Sequence, residues 1–230
     1  MDTGVASAAK NMAIDAELLE NVHQSPLLHL YQWERPSATY GYFIDPLKYL
    51  KPEAIEKVQL ARRPTGGGIV FHVTDFAFSI VIPSHHAGYS LNTLENYAYV
   101  NQIVMDVVRT FIGKETLPEL LQQAPPPLDG ASHHFCMANP TKYDVMIAGK
   151  KVGGAAQRRT KDAFLHQGTI ALAIPDENFL NGLLLPNTHV WDSMVKNTYS
   201  LLPVCYSREQ LKKTRDEISA LMMQAIKKLS

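Results

Sequence analysis

Cysteine is scarce in this chain. Cys136 and Cys205 are the only two in 230 residues, too few for a disulfide framework, and neither has a second cysteine or a paired histidine beside it at zinc-ligand spacing. Each is therefore a small hydrophobe or a reactive thiol. Long apolar runs are also missing: no window approaches the roughly 18 apolar residues that span a bilayer. The opening stretch MDTGVASAAKNMAIDAELL lacks the uninterrupted apolar segment of a secretion signal. A cytoplasmic protein that does not enter membranes is expected. Nor is there an excess of charge of one sign, because 22 Lys and Arg face 22 Asp and Glu. No global field draws in nucleic acid, and a nucleic-acid partner is not expected.

What is present is a chain long enough for a substantial core, 46% hydrophobic and 19% charged, expected to form one domain over residues 1–230. Ala9, Met12, Ala13, Ala16, Leu19 and Val22 recur at spacings of three and four, which predicts an amphipathic helix over 8–23, ending before Pro26. LLHLYQW, 27–33, reads as a strand, followed by another at 39–43 and a short helix opened by Asp45-Pro46. VQLARR, GIVFHV and FAFSIVI read as strands joined by connections too short for crossover helices, an antiparallel signature. A long amphipathic helix is predicted over 91–111 and a proline-rich surface loop over 117–132. Strands resume in KYDVMIAGKKVGGAAQRR and AFLHQGTIALAI, with a hairpin turn at Ala148-Gly149. A short helix over 176–182 and a closing helix over 207–229, capped by Ser207, complete the reading. Strand runs interleaved with a few helices, without regular βαβ alternation, indicate α+β: mixed, mainly antiparallel sheets flanked by helices.

Three segments carry candidate chemistry. In ARRPTGGGIVFH, residues 61–72, three glycines free the backbone to expose N–H groups to a phosphate or a carbonyl oxygen, and Arg62 or Arg63 can add a charged clamp. A glycine-rich hairpin explains the same residues, and the spacing matches neither common nucleotide loop. Lys151 opens a second glycine-flanked strand. It either polarises a carbonyl and lowers a neighbouring thiol's pKa, or is an ordinary hairpin lysine. Cys136 in HHFCMANP follows His133 and His134 and is either a nucleophile for thioester exchange or a packed core residue. Cys205 reads as structural. His166 reads as a core histidine with a satisfied hydrogen bond, and His72 with Asp75 brackets the turn after the glycines.

Taken in order, NMAIDAELL, RRPTGGGIVFH, KYDVMIAGKKVGGAAQRR, AFLHQGTIAL and the late WDSMVKNTYSLLP resemble the lipoate-protein ligase and octanoyltransferase family, whose catalytic fold is shared with biotin protein ligases. The likeness covers roughly residues 8–205, and its paired glycine and lysine motifs are specific. It implies that Arg63, Gly66, Gly67, Gly68 and His72, with Gly153, Gly154 and Ala155, line the acyl or acyl-adenylate pocket, and that Lys151 contacts the acyl carbonyl. The implied acceptor is a lysine of a lipoyl-domain protein, such as a 2-oxoacid dehydrogenase E2 subunit or the glycine cleavage H protein. The family divides by chemistry. Ligases use free lipoate, ATP and Mg²⁺. One transferase branch needs no cofactor and takes octanoate from acyl carrier protein onto the cysteine of C-x-x-x-P-x-x-[YF]-[DE], where this chain has CMANPTKYD. Cys136 at that place, HVTDFAFS and the absence of a separate accessory domain favour the transferase, with Cys136 and Lys151 catalytic; Gly68 follows the ligase pattern. ATP-dependent ligation and a non-catalytic module that binds lipoyl domains or acyl carrier remain as alternatives.

Overall fold

The computed structural model describes residues 1–21, 23–113, 115–125 and 132–229. In chain order the elements are β1 (Asp2–Ala6), α1 (Ala8–Glu20), β2 (Leu27–Trp33), β3 (Ser37–Tyr40), α2 (Ala54–Lys57), β4 (Gln59–Arg62), β5 (Ile69–His72), β6 (Asp75–Pro83) and α3 (Thr93–Ile112). They continue with β7 (Glu119–Leu120), β8 (Val145–Ile147), β9 (Lys150–Arg159), β10 (Ala163–Ala171), α4 (Glu177–Asn181), α5 (Val190–Asn197) and α6 (Arg208–Lys227). The α+β expectation holds, with two sheets of order β1-β2-β6-β10-β9-β8-β7 and β4-β3-β5.

Local sequence explains most of these elements. Ser7 accepts the Lys10 N–H to start α1, and Ser207 with Gln210 forms a reciprocal capping box at the start of α6. Ala148 and Gly149 both take positive φ, 49° and 74°, as a two-residue hairpin turn between β8 and β9 demands. All nine residues of β6 and all nine of β10 are buried. Both strands run through the middle of the large sheet and are covered on both faces, so their apolar residues are nearly continuous rather than alternating. On one face α3 and α6 contribute Val104, Val108, Ile218 and Met222 to a core with Phe78 and Ile80. On the other, Leu18 and Leu19 of α1 pack on Val81 and Leu165. The small sheet builds its own cluster from Ile69 and Phe71 with Phe135, Leu184 and Met194.

The structure departs from the sequence reading in definite ways. The first helix ends at Glu20, short of 23, and Val22 lies outside the described residues. β3 starts and stops earlier than 39–43, because Gly41 turns the chain under the glycine run. β1, α2 and α5 were not anticipated, and the pairs β1–β2 and β3–β4 are parallel. Part of the proline-rich loop, 126–131, lies outside the described residues; just before it β7 pairs with β8. Cys205 is exposed, not a packed core residue.

His166, in the middle of β10, is fully buried. Its Nδ1 meets Gln157 at 2.8 Å while its Nε2 has no partner among the described residues, so the fully satisfied core histidine expected from sequence is only half realised. Burial pushes its pKa down from 6.5 to about 3. The imidazole is thus neutral in the folded protein across the range where the unfolded chain takes up a proton. The stability this residue supplies is full above pH 6.5 and is lost as pH falls toward 3. Between pH 7 and pH 5 the predicted loss is roughly 2 kcal/mol from His166 alone. Urea unfolding at the two pH values should show a smaller difference in His166→Gln than in wild type; identical pH dependence in the two proteins would refute the assignment.

Candidate active site

The glycine run, the β9–β10 pair and the segment following the proline-rich loop meet against the inner strands of the large sheet. Phe135 anchors that segment: it is 1% exposed, stacks on Phe71 at 5.7 Å and forms a β-bridge with Ile69. The Cys136 N–H then donates to the Ile69 carbonyl at 3.0 Å. The other side is pinned from the end of α5, where Thr198 donates to the Met137 carbonyl and Asn197 to the Ala138 carbonyl. Cys136 is thereby fixed facing the glycines, and its half-buried Sγ accepts the Gly68 N–H at 3.2 Å. This contact fixes the direction of the sulfur.

The glycines are bare for identifiable reasons. A Cβ on Gly68 would overlap the backbone of His134, and one on Gly41 would overlap the Gly66-Gly67 backbone. Gly67 has φ of 81° and faces Arg63, Ala156 and the Cys136 sulfur. Arg63 holds this loop together. It is 5% exposed, and its four terminal N–H donors are all used, two on the Thr39 carbonyl and hydroxyl and two on the Gly66 and Gly68 carbonyls. Burial lowers its pKa, a shift opposed by the neighbouring Cys136. Arg62 points outward and lies over the Tyr42 ring at 4.7 Å. The two arginines thus divide into an internal clamp and a surface cation, and neither stands as a free anion clamp in the loop.

Behind the loop runs a mainly apolar slot of about 30 Å³, lined in part by Cys136, Val70, Gly154, Ala155 and Ala156. Arg63, His72, Met12, Tyr31, Gln167 and Thr169 also border it. His72 is held from both sides: its Nδ1 meets Asp75 at 2.7 Å and its Nε2 meets the Thr39 hydroxyl at 2.7 Å. Because Thr39 already accepts from Arg63, its own proton is directed to Nε2, which leaves the Nδ1 proton for Asp75. His72 and Thr169 together keep the Asp75 carboxyl below the usual carboxylate range, although burial opposes this. Gln167 receives the Thr65 hydroxyl and donates to Asp15, which also binds His29 and Ser79.

Lys151 is 2% exposed, and its ammonium donates to the Cys136 carbonyl at 2.7 Å while pairing with Asp144 at 2.7 Å. The hairpin-lysine alternative does not fit a side chain this buried. A Cβ on Gly154 would overlap Lys151 Cε and Nζ, so that glycine is the room the lysine occupies. Of the residues singled out from sequence, Cys136, Lys151, Arg63, His72, Gly67, Gly68, Gly154 and Ala155 converge here. Gly153 instead faces Val104 and Ile170 in the core, and a Cβ on Gly66 would meet nothing. Asp144, Tyr97, Thr39, Gln167 and Met12 escaped the sequence reading. Asp144 carried a signal as the acidic end of the C-x-x-x-P-x-x-Y-D segment, and Met12 and Gln167 lie within NMAIDAELL and AFLHQGTIAL; Tyr97 and Thr39 carried none.

Comparison with known proteins places the chain in a family. The model of the lipoyl protein ligase A/B catalytic domain matches residues 7–229. The chain is 30% identical over 206 residues to octanoyltransferase LipM of Halalkalibacterium halodurans, covering 86% of this chain and 74% of that one. It is 28% identical over 205 residues to octanoyltransferase LipM of Bacillus subtilis, covering 86% and 73%. Among solved structures, lipoate-protein ligase A bound with ATP superposes with a TM-score of 0.69 at 20% identity, covering 100% of this chain and 83% of that one. A bi-partite lipoate protein ligase from Thermoplasma acidophilum gives 0.68 at 21%, covering 98% and 82%. These two share the fold. With the family model spanning nearly all of its length, this chain belongs to the lipoyl protein ligase A/B catalytic domain family.

Proposed function

We propose that the protein is an octanoyltransferase that takes an octanoyl group from octanoyl-acyl carrier protein and places it on one lysine of a lipoyl-domain protein, by way of an acyl-Cys136 intermediate. The observation that carries this reading is Cys136 itself: its Sγ borders an apolar slot and accepts the Gly68 N–H, while its backbone carbonyl receives the Lys151 ammonium. In the first half-reaction the Cys136 thiolate attacks the donor thioester carbonyl, a new C–S bond forms, and the carrier's thiolate leaves. The two thioesters are close in energy, so the transfer needs no activating nucleotide. Negative charge gathers on the carbonyl oxygen in between, and Lys151 is the nearby cation to stabilise it. In the second half-reaction the neutral ε-amine of the acceptor lysine attacks acyl-Cys136. An amide forms, the thiolate is regenerated and one proton is released. The slot, about 30 Å³ as it stands, must widen to admit the eight-carbon chain, and Met12, unbranched and flexible, is the side chain best suited to yield to it.

The named relatives support this assignment, and so does Arg63. In the ATP-dependent alternative Arg63 holds the phosphate of an acyl-adenylate, yet its terminal donors are engaged with Thr39, Gly66 and Gly68. We further propose that residues 1–230 work as one catalytic domain in the cytoplasm; among the described residues no helix is long and apolar enough to cross a membrane. E2 subunits and the glycine cleavage H protein are the proposed acceptors.

Mixing the protein with octanoyl-acyl carrier protein and a lipoyl domain, with and without ATP, should give octanoylated domain in both cases by intact-mass measurement. Cys136→Ala should lower the rate by roughly three orders of magnitude or more. Strict dependence on ATP, or full activity in Cys136→Ala, would sink the transferase reading. Gly154→Ala tests the place of Lys151: the added methyl should displace the ammonium and slow transfer roughly 100-fold, with the circular dichroism spectrum unchanged. A wild-type rate in that variant would mean that Lys151 is not needed where it sits.

A further inference from the structure

α3 carries one side chain whose polar end belongs to the site rather than to the core. Tyr97 is absent from every motif that marks the site in the sequence, yet its hydroxyl makes three short contacts there. It accepts the Ala155 N–H at 2.8 Å, lies 2.9 Å from the Ala155 carbonyl oxygen and 2.8 Å from Asp144 Oδ1.

The first two contacts have a topological origin. β8 pairs with β9 only as far as Val145 opposite Gly153, after a register shift between Val145 and Met146. Past that point the β9 edge has an N–H and a carbonyl at Ala155 with no strand to meet them. The phenol oxygen takes that N–H in place of the missing strand, and the single hydroxyl proton remains for a carboxylate. The third contact reaches the ion pair. Asp144 Oδ2 receives Lys151 Nζ at 2.7 Å, the Thr141 N–H at 2.6 Å and the Thr141 hydroxyl at 3.0 Å. Tyr97 is the donor on Oδ1. With both oxygens held, the carboxylate cannot turn about its Cβ–Cγ bond, and the ammonium keeps its direction toward the Cys136 carbonyl 2.7 Å away.

We propose that Tyr97 is a positioning residue for acyl transfer: acting through Asp144, it fixes the Lys151 ammonium beside Cys136 while shaping the slot wall at Ala155. The proposal rests on the transferase reading of Cys136 and Lys151. Burial first, and the charge of Asp144 second, raise the phenol's pKa well above its ordinary value, so the hydroxyl stays a donor at every pH at which the enzyme works. Packing alone does not ask for the oxygen. The ring lies against His166 at 5.6 Å between centroids, and phenylalanine would fill the same space.

The test is a double-mutant cycle on Cys136 acylation by octanoyl-acyl carrier protein, without ATP, followed by rapid-quench intact mass in wild type, Tyr97→Phe, Asp144→Asn and the double variant. Tyr97→Phe should slow acylation roughly 10- to 100-fold with the donor's KM within about twofold. In the Asp144→Asn background the same change should cost less than about threefold, because the carboxylate through which Tyr97 acts is gone. Acylation of Tyr97→Phe at the wild-type rate, or a full repeat of its loss in the Asp144→Asn background, would overturn the proposal and leave the transferase reading intact. Loss of the folded protein on Tyr97→Phe, read by circular dichroism, would assign the hydroxyl to the fold and overturn it too. Absence of an acyl-Cys136 adduct in wild type would instead remove the transferase reading, and this proposal with it.

Discussion

Everything in the site depends on a cation kept away from water. The Lys151 ammonium is 2% exposed and the Asp144 carboxylate fully buried, and removing two such charges from solvent costs several kcal/mol each before their attraction is counted. An ion pair of this kind is weak as a source of stability, and a well-packed apolar pair would serve a fold as well or better. Its retention makes sense where a fixed positive charge is wanted at a reacting carbonyl. The surroundings agree with that purpose: Gly154 gives up its side chain to the lysine, Thr141 and Tyr97 hold the carboxylate, and the ammonium's remaining partner is the backbone carbonyl of the cysteine itself.

Arg63 represents the same physics turned to a different end. Its charge is spent on three carbonyls and a hydroxyl, so it serves as an internal strut rather than a ligand-binding group. This strut lets a run of three glycines, intrinsically the most mobile backbone in the chain, present the Gly68 N–H to sulfur in one orientation. It also connects the loop, through Thr39, to His72 and Asp75. One guanidinium thus links the thiol side of the site to its imidazole side.

How far the site could be read from the sequence follows from where its information resides. Elements with strong local signals were recoverable: LLHLYQW as β2, the amphipathic period of α3, the Ser207 cap of α6, the Ala148-Gly149 turn. β1 was missed because it is only five residues long and half polar, and α5 because its apolar residues, spread over eight positions, make too short a pattern. The parallel pairs escaped an argument built on short connections, since each joins consecutive strands through a longer, helix-containing connection, α1 between β1 and β2 and α2 between β3 and β4. In the site, residues carried by dense motifs were found. Tyr97 and Thr39 were not, because each is an ordinary residue of a helix or strand that becomes polar machinery only through a partner dozens of positions away. Arg63 was found at the border of the slot, but its partners were not, because composition shows a charge beside glycines and not which oxygens engage it.

The hydrogen bonds that define the slot are long-range. Gly68 meets Cys136 across 68 positions, Thr65 meets Gln167 across 102 and Gln167 meets Asp15 across 152. Such closures come late, after local helices and hairpins have formed, because loop-closure entropy must be met before distant contacts repay it. A chain stalled with its helices and the β9–β10 hairpin in place would still lack the thiol–amide contact and the oriented ammonium. Helical signal can therefore return on refolding well before the thiol and the ammonium reach their places, and a nascent chain cannot complete the segment around Cys136 until Asn197 and Thr198 have been made.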